Sequence, residues 1–225
     1  MRFDVDALLF DMDGTLVDST ASVLRGWQTV AAEFPIPPDL FAVVPRHGRP
    51  AVEIMADLLP RELIPAAAAR LDELERTDTD DVVLLPGAAR LLAAAPAGRW
   101  AVVTSAGRPL AQVRLGAAGI GTVGIAAPAL VTIDDVSRGK PDPEPFLLGA
   151  KLLGVPPERC LVFEDAPAGL AAARAAGAMT VAVTTTHTAD ELDADLIVPD
   201  LSAVRIAGVN PSERGDEGRI TVTVD

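Results

Sequence analysis

The apolar residues of this chain change their period along its length, and the changes mark out its elements. Ala7-Leu8-Leu9-Phe10 is an unbroken apolar run closed by Asp11-Met12-Asp13-Gly14, and it predicts a short strand buried on both faces. Residues 19–33 contain no proline and predict a helix, with Asp18 or Ser19 as its N-cap. Between 35 and 86 no strand pattern occurs. Helical stretches at 50–59 and 61–77 are separated there by prolines and by the polar loop Arg46-His47-Gly48-Arg49-Pro50. Beyond Pro86-Gly87 the pattern predicts helix 88–95, strand 100–104, helix 109–118, strand-like pieces near 123–126 and 130–133, and helix 143–153. Strand 160–164, helix 167–176 and strands 179–184 and 194–198 follow. The whole reads as β-α-β alternation, an α/β protein, interrupted after its first strand by an all-helical insertion of roughly 65–70 residues. The tail departs from it: 204–209 and 219–224 predict a terminal hairpin around a turn containing Gly and Pro.

Composition sets the surroundings. The 225 residues are 49% hydrophobic and 23% charged, which suits a globular chain and excludes a disordered one. No apolar run reaches the ~18 residues of a spanning helix, and Asp4 and Asp6 interrupt any signal-peptide layout. Cys160, the single cysteine, cannot form an internal disulfide and reads as a small buried apolar residue. These features predict a soluble cytoplasmic protein, a monomer or small homo-oligomer. The net charge of −13 argues against nucleic acid and acidic membrane surfaces as partners. It would also repel an anionic substrate, so a site for one needs strong local positive charge. Only two lysines exist, Lys140 and Lys151, and Lys140 falls in a motif.

Polar residues gather where strands should end. A parallel strand delivers its C-terminal end to the crevice in which open α/β sheets bind ligands. Asp11 and Asp13 there suggest a hard cation and an anionic substrate, with Gly14 letting the chain turn closely; Asp-x-Asp-Gly is equally a surface turn. Thr104-Ser105 ends a strand with two hydroxyls able to hold a phosphate oxygen or to cap a helix. Lys140 lies in the proline-stiffened Arg138-Gly139-Lys140-Pro141-Asp142-Pro143, ahead of a helix. Glu164-Asp165 closes an apolar strand where acids also favour a helix start. Each motif alone has an ordinary explanation. Four in this order, each at a strand end, do not.

With DMDGT at 11–15, VVTS at 102–105, GKPDP at 139–143 and EDAPAG at 164–169, nearly the whole chain resembles the haloacid dehalogenase-like superfamily of phosphotransferases. It is most similar to the branch with a small helical cap after the first strand, which contains sugar-phosphate and glycerol-phosphate phosphatases. That resemblance implies a Rossmann-like, doubly wound parallel-sheet core at 1–17 plus 86–225 and a cap at 18–85. It implies a Mg²⁺-dependent phosphatase that hydrolyses a small sugar or polyol phosphate through an aspartyl-phosphate. Asp11 would be the nucleophile and Asp13 the proton carrier. Asp11, the backbone carbonyl of Asp13 and Asp165 would ligate Mg²⁺, with Glu164 auxiliary. Lys140 would neutralise the carboxylates and the transferring phosphoryl group. Thr104 would bind a phosphoryl oxygen, aided by the amides of Met12, Asp13 and Ser105.

Relatives of this fold with other chemistry fit less well. The dehalogenases lack the second acid that Asp13 supplies. The phosphonate-cleaving members need a cap lysine, and no lysine precedes Lys140. The phosphosugar mutases carry a histidine early in the first cap helix. The matching position here is near Val23, and none lies between 16 and 46, so a β-phosphoglucomutase-like mutase is the second reading. A non-catalytic protein binding a phosphorylated ligand is the third. Substrate choice would fall to the cap, where His47 and Arg49 are the candidate contacts. Trp27 and Trp100 read as packing residues, and His187 has no role.

Overall fold

The computed structural model describes residues 1–44, 50–122, 125, 128–210 and 218–224. Among these, six parallel strands form the central sheet: β2 (Ala7–Phe10), β5 (Trp100–Val103), β6 (Ala129–Val131), β7 (Cys160–Glu164), β8 (Met179–Val183) and β9 (Leu196–Val198). Their order is β6-β5-β2-β7-β8-β9. The α/β expectation holds. The chain moves outward on one side of β2 and then returns to build on the other, so the switch point falls at the C-terminal end of β2.

Every residue of β2, β5 and β7 is buried, as expected for strands covered on both faces. Their alternation divides them between two cores. Leu8, Phe10, Val102, Leu161 and Phe163 face one side, where they meet α5 (Ala88–Ala94) and α6 (Arg108–Ala117). Ala7, Leu9, Ala101, Val103 and Val162 face the other, against α7 (Glu144–Leu152) and α8 (Pro167–Ala175). Phe10 stacks on Phe163 with ring centroids 4.9 Å apart and meets Trp100 edge-on at 6.0 Å. Trp100 and Trp27 are both buried in apolar clusters, as is Cys160. Burial, with Asp6 and Glu158 adding repulsion, pushes the Cys160 thiol up to about 12.

The helical insertion comprises α1 (Thr20–Glu33), α2 (Pro38–Val43), α3 (Ala51–Leu58) and α4 (Ile64–Thr77). It has its own apolar cluster, with Trp27, Val30, Ile54, Met55, Leu58 and Leu71 at the centre. α2 was not expected; six residues between prolines carry too short a period to read. The insertion also begins and ends on strands that the sequence pattern missed. β3 (Val17–Asp18) pairs antiparallel with β4 (Val83–Leu84), so both chain crossings share one short ladder. Two residues cannot display alternation. Asp18 Oδ1 accepts from Thr20 N–H, whereas the Ser19 hydroxyl makes no cap bond.

The terminal hairpin is present as β10 (Val204–Asn210) and β11 (Arg219–Val224). A missed strand, β1 (Arg2–Val5), pairs with β11 and completes a three-stranded antiparallel sheet. Phe3 and Val5 point inward and Arg2 and Asp4 outward, a half-buried pattern whose partner lies at the other end of the chain. This sheet covers the same face of the central sheet as α5 and α6, with Val204, Ile220 and Val222 in that core. The strand foreseen near 123–126 lies outside the described residues except for Ile125, which is in no strand. No helix among the described residues is long and apolar enough to cross a membrane.

Candidate active site

Parallel register puts the polar ends of β2 and β7 side by side. Phe10 is opposite Phe163, so Asp11 and Glu164 are the next pair along, and Asp11 N–H donates to the Phe163 carbonyl at 2.9 Å. Lys140, from the loop before α7, reaches between them. Its Nζ lies 2.5 Å from Asp11 Oδ1 and 2.7 Å from Glu164 Oε1. It also stands 5.0 Å above the ring centre of Phe146. The other Glu164 oxygen accepts the backbone N–H groups of Asp165 and Ala166 at 2.8 and 2.7 Å.

Asp165 completes the cluster. Carboxylate oxygens of Asp11, Glu164 and Asp165 lie within 4.8 Å of one another, and all three residues are buried. Thr15 and Thr186 hydroxyls donate to the two oxygens of Asp165, the first at 3.3 Å. Gly14 has a positive φ of 87°, and a Cβ there would stand 2.3 Å from Asp165 Oδ2, so glycine is required on both counts. Burial drives the Asp11 carboxyl well above its ordinary range, and the charges of Glu164 and Asp165 add to this against the pull of Lys140. Burial and the Glu164 charge likewise push Asp165 up to about 7. Burial opposes the charge on Lys140, but Asp11 and Glu164 outweigh it and hold the ammonium protonated. Three carboxylates around one ammonium leave a formal excess of negative charge. The donor set is all oxygen, which suits a hard divalent cation such as Mg²⁺.

Asp13 is set apart. Its carboxylate is not in the cluster; Oδ1 accepts the Ser19 hydroxyl at 2.6 Å and Oδ2 accepts Arg114 Nη1 at 2.9 Å. Arg114, on α6, also donates from Nη2 to Glu75 on α4 at 3.0 Å. Arg114 and Glu75 escaped the sequence reading. So did the loop after β8, where Thr185 donates to the Gly14 carbonyl and Thr186 to Asp165. That loop follows β8, a parallel strand next to β7, so its threonines stand at a strand end as the residues of the other motifs do. His187, given no role, has Nδ1 3.0 Å from the Asp165 carbonyl oxygen.

The remaining candidates lie as follows. Thr104 is buried at the end of β5, and its Oγ1 accepts the Ala106 N–H at 3.1 Å, which leaves the hydroxyl proton to donate. Ser105 Oγ is buried without a hydrogen-bond partner among the described residues. His47 and Arg49 lie outside the described residues.

The match to a family profile agrees with this geometry: haloacid dehalogenase-like hydrolases, over residues 5–177. The chain belongs to that family. Among characterised relatives of this haloacid dehalogenase-like hydrolase, hexitol phosphatase A of Escherichia coli is 38% identical over 88% of this chain and 92% of its own length. The validoxylamine A 7'-phosphate phosphatase of Streptomyces hygroscopicus is 38% identical over 91% of this chain and 98% of its own. A crystal structure of a hydrolase from Pseudomonas syringae superposes with a TM-score of 0.76 at 28% identity, covering 87% of this chain and 94% of the other.

Proposed function

We propose that this phosphoric monoester hydrolase removes the phosphate of a small phosphorylated sugar or polyol in the cytoplasm, with Mg²⁺ as its divalent ion. The observation that carries the reading is the separation of two carboxyl environments within three residues. Asp11 sits in the buried cluster with Lys140, Glu164 and Asp165, while Asp13 sits beside it on different partners. A two-step displacement needs a nucleophile and a separate proton carrier. The two relatives named for phosphatase action on a hexitol phosphate and on validoxylamine A 7'-phosphate support the substrate class.

In the first step an Asp11 carboxylate oxygen bonds to phosphorus, the bond to the substrate oxygen breaks, and Asp13 gives its proton to the departing alkoxide. In the second, Asp13 takes a proton from water as the water oxygen bonds to phosphorus and Asp11 is released. Lys140 orients Asp11 and offsets charge on the transferring group. Thr104 and Ser105 donate to phosphoryl oxygens. Asp11, Asp165 and the Asp13 carbonyl would hold Mg²⁺, with Glu164 auxiliary. When bound, the ion supplies positive charge against the carboxylates and the phosphoryl oxygens. Residues 18–85 act as a cap over a core of 1–17 and 86–225, admitting substrate and excluding bulk water. Within that cap, His47 and Arg49 select the sugar or polyol. With no histidine between 16 and 46, water is the acceptor.

The test is phosphate release from a panel of glucitol 6-phosphate, glycerol 1-phosphate, glucose 6-phosphate and phosphoglycolate, with Mg²⁺ and with EDTA. Release from sugar or polyol phosphates that EDTA abolishes and Asp11→Asn eliminates is expected. Isomerisation of a sugar phosphate without phosphate release, or an Asp11→Asn variant of full activity, overturns the proposal.

A further inference from the structure

Arg114 and Glu75 both break the pattern of their helices. On α4, residues 67, 71 and 75 recur at four-residue spacing and are all buried; Ala67 and Leu71 are apolar and Glu75 is not. On α6, Leu110, Ala111, Arg114 and Leu115 form the buried face. An arginine 4% exposed and a glutamate 7% exposed thus stand where each helix calls for an apolar side chain. They meet each other, and Arg114 continues to Asp13. Among the described residues Arg114 Nε has no partner, so the bonds of this guanidinium are confined to its two terminal nitrogens and the two carboxylates.

The two helices belong to different cores. Ala111 and Leu115 of α6 pack with Leu8 and Phe10 of the central sheet, whereas Ala67 and Leu71 of α4 pack with Trp27 and Met55 of the insertion. One cation therefore joins the proposed proton carrier to a helix on the far side of a boundary between cores. A buried ion pair of this kind adds little stability over apolar residues of similar volume, so stability alone does not account for it.

We infer that Arg114 is a positioning residue for Asp13, and that Glu75 makes its hold depend on the seating of the helical insertion. The inference rests on the reading of Asp13 as the proton carrier. With α4 seated, Glu75 fixes one end of the guanidinium and the other end holds Asp13 Oδ2, while Ser19 holds Oδ1. Both oxygens are thereby oriented. With α4 withdrawn, Arg114 loses one of its two anchors and Asp13 its fixed orientation. Proton transfer is then efficient only when the insertion covers the site.

Leaving-group dependence tests this. The quantity kcat/KM reports aspartyl-phosphate formation, in which an alkoxide needs a proton from Asp13 and p-nitrophenolate does not. The substrates are p-nitrophenyl phosphate and the alkyl phosphate of the panel above that the wild type hydrolyses fastest. Asp13→Asn sets the scale, with a loss of about 10²-fold or more on the alkyl ester and little on the aryl ester. Arg114→Met and Glu75→Gln should each lose about tenfold on the alkyl ester and less than about twofold on the aryl ester. A packing role alone predicts equal losses on both, and equal losses in Glu75→Gln overturn the inference. If Arg114→Met fails to fold, the double variant Arg114→Met/Glu75→Leu restores an apolar contact and must still show the selective loss. If Asp13→Asn affects both esters alike, the proton-carrier reading falls and this inference with it. If Asp13→Asn is selective and Glu75→Gln is not, only the inference falls.

Discussion

Lys140 and Arg114 are both buried cations held between two carboxylates, and they differ in what those carboxylates are attached to. The partners of Lys140 end neighbouring strands of one sheet, so their separation is set by the strand spacing of about 4.8 Å and cannot vary without breaking the sheet. The partners of Arg114 belong to a loop of the core and a helix of the insertion, whose apolar clusters are separate. The same kind of contact is therefore fixed in one place and, on the proposed reading of the insertion as a movable cap, adjustable in the other. The fixed network suits a nucleophile, which must meet phosphorus in one geometry. The adjustable one suits a group that must act only when substrate is enclosed.

Removing the proposed nucleophile tests the fixed network most severely. Asp11→Asn should lower phosphate release by roughly 10⁵-fold while the fold persists by circular dichroism; a loss of tenfold or less would place the chemistry elsewhere. Lys140→Met leaves Asp11 and Glu164 buried without their cation and should cost about 3–5 kcal/mol in urea unfolding. A cost below about 1 kcal/mol would mean that those carboxyls carry protons and need no partner.

The adjustable network predicts a pH effect. Burial, with Asp13 and Asp72 adding repulsion, pushes Glu75 up to about 7 despite Arg114. Unfolded, Glu75 releases its proton near 4.5, so between these values the folded state binds more protons and stability falls as pH rises. The stability of the wild type relative to Glu75→Gln should fall by about 3 kcal/mol between pH 4 and pH 8. A flat difference across that range would show Glu75 ionised by Arg114 throughout. Adding Mg²⁺ at about a hundred times its dissociation constant should stabilise the protein by about 2.7 kcal/mol, seen as a rise in Tm. Asp165→Asn should abolish that rise, and Glu75→Gln should not. Smallest of all, Ser19→Ala removes one hydrogen bond to Asp13 and should cost about 1 kcal/mol, with a few-fold loss in kcat/KM on alkyl esters only.

The parts of this molecule that the sequence made legible are those whose signal is local. Ala7–Phe10 followed by Asp11, and Cys160–Glu164 followed by Asp165, each join a buried strand to polar residues within a few positions. Arg2–Val5 carries an equally regular alternation, but its partner β11 is more than two hundred residues away and nothing nearby announces the pairing. Arg114 and Glu75 are illegible in the sequence for a different reason. Reading helices for their apolar stripe discards the charged residue that falls within it, and at 75 and 114 the exceptions carried the information. The place of Ser19 before α1 predicts a cap, whereas its hydroxyl donates to Asp13. A cap and a site contact look alike until the loop after β2 is folded back.

The ladder between Val17–Asp18 and Val83–Leu84 has a consequence for how such a chain can change. The helical insertion leaves and re-enters at paired positions, so the sheet beneath it sees two adjacent ends whatever lies between them. Excising the insertion and joining those strands by a short turn would create a hairpin and leave the order of the parallel strands untouched. The same doorway would accept another insertion of any length whose ends lie equally close. If the insertion selects the substrate as proposed, selectivity is then an exchangeable part, and the aspartates at the end of β2 can remain as they are while it is replaced.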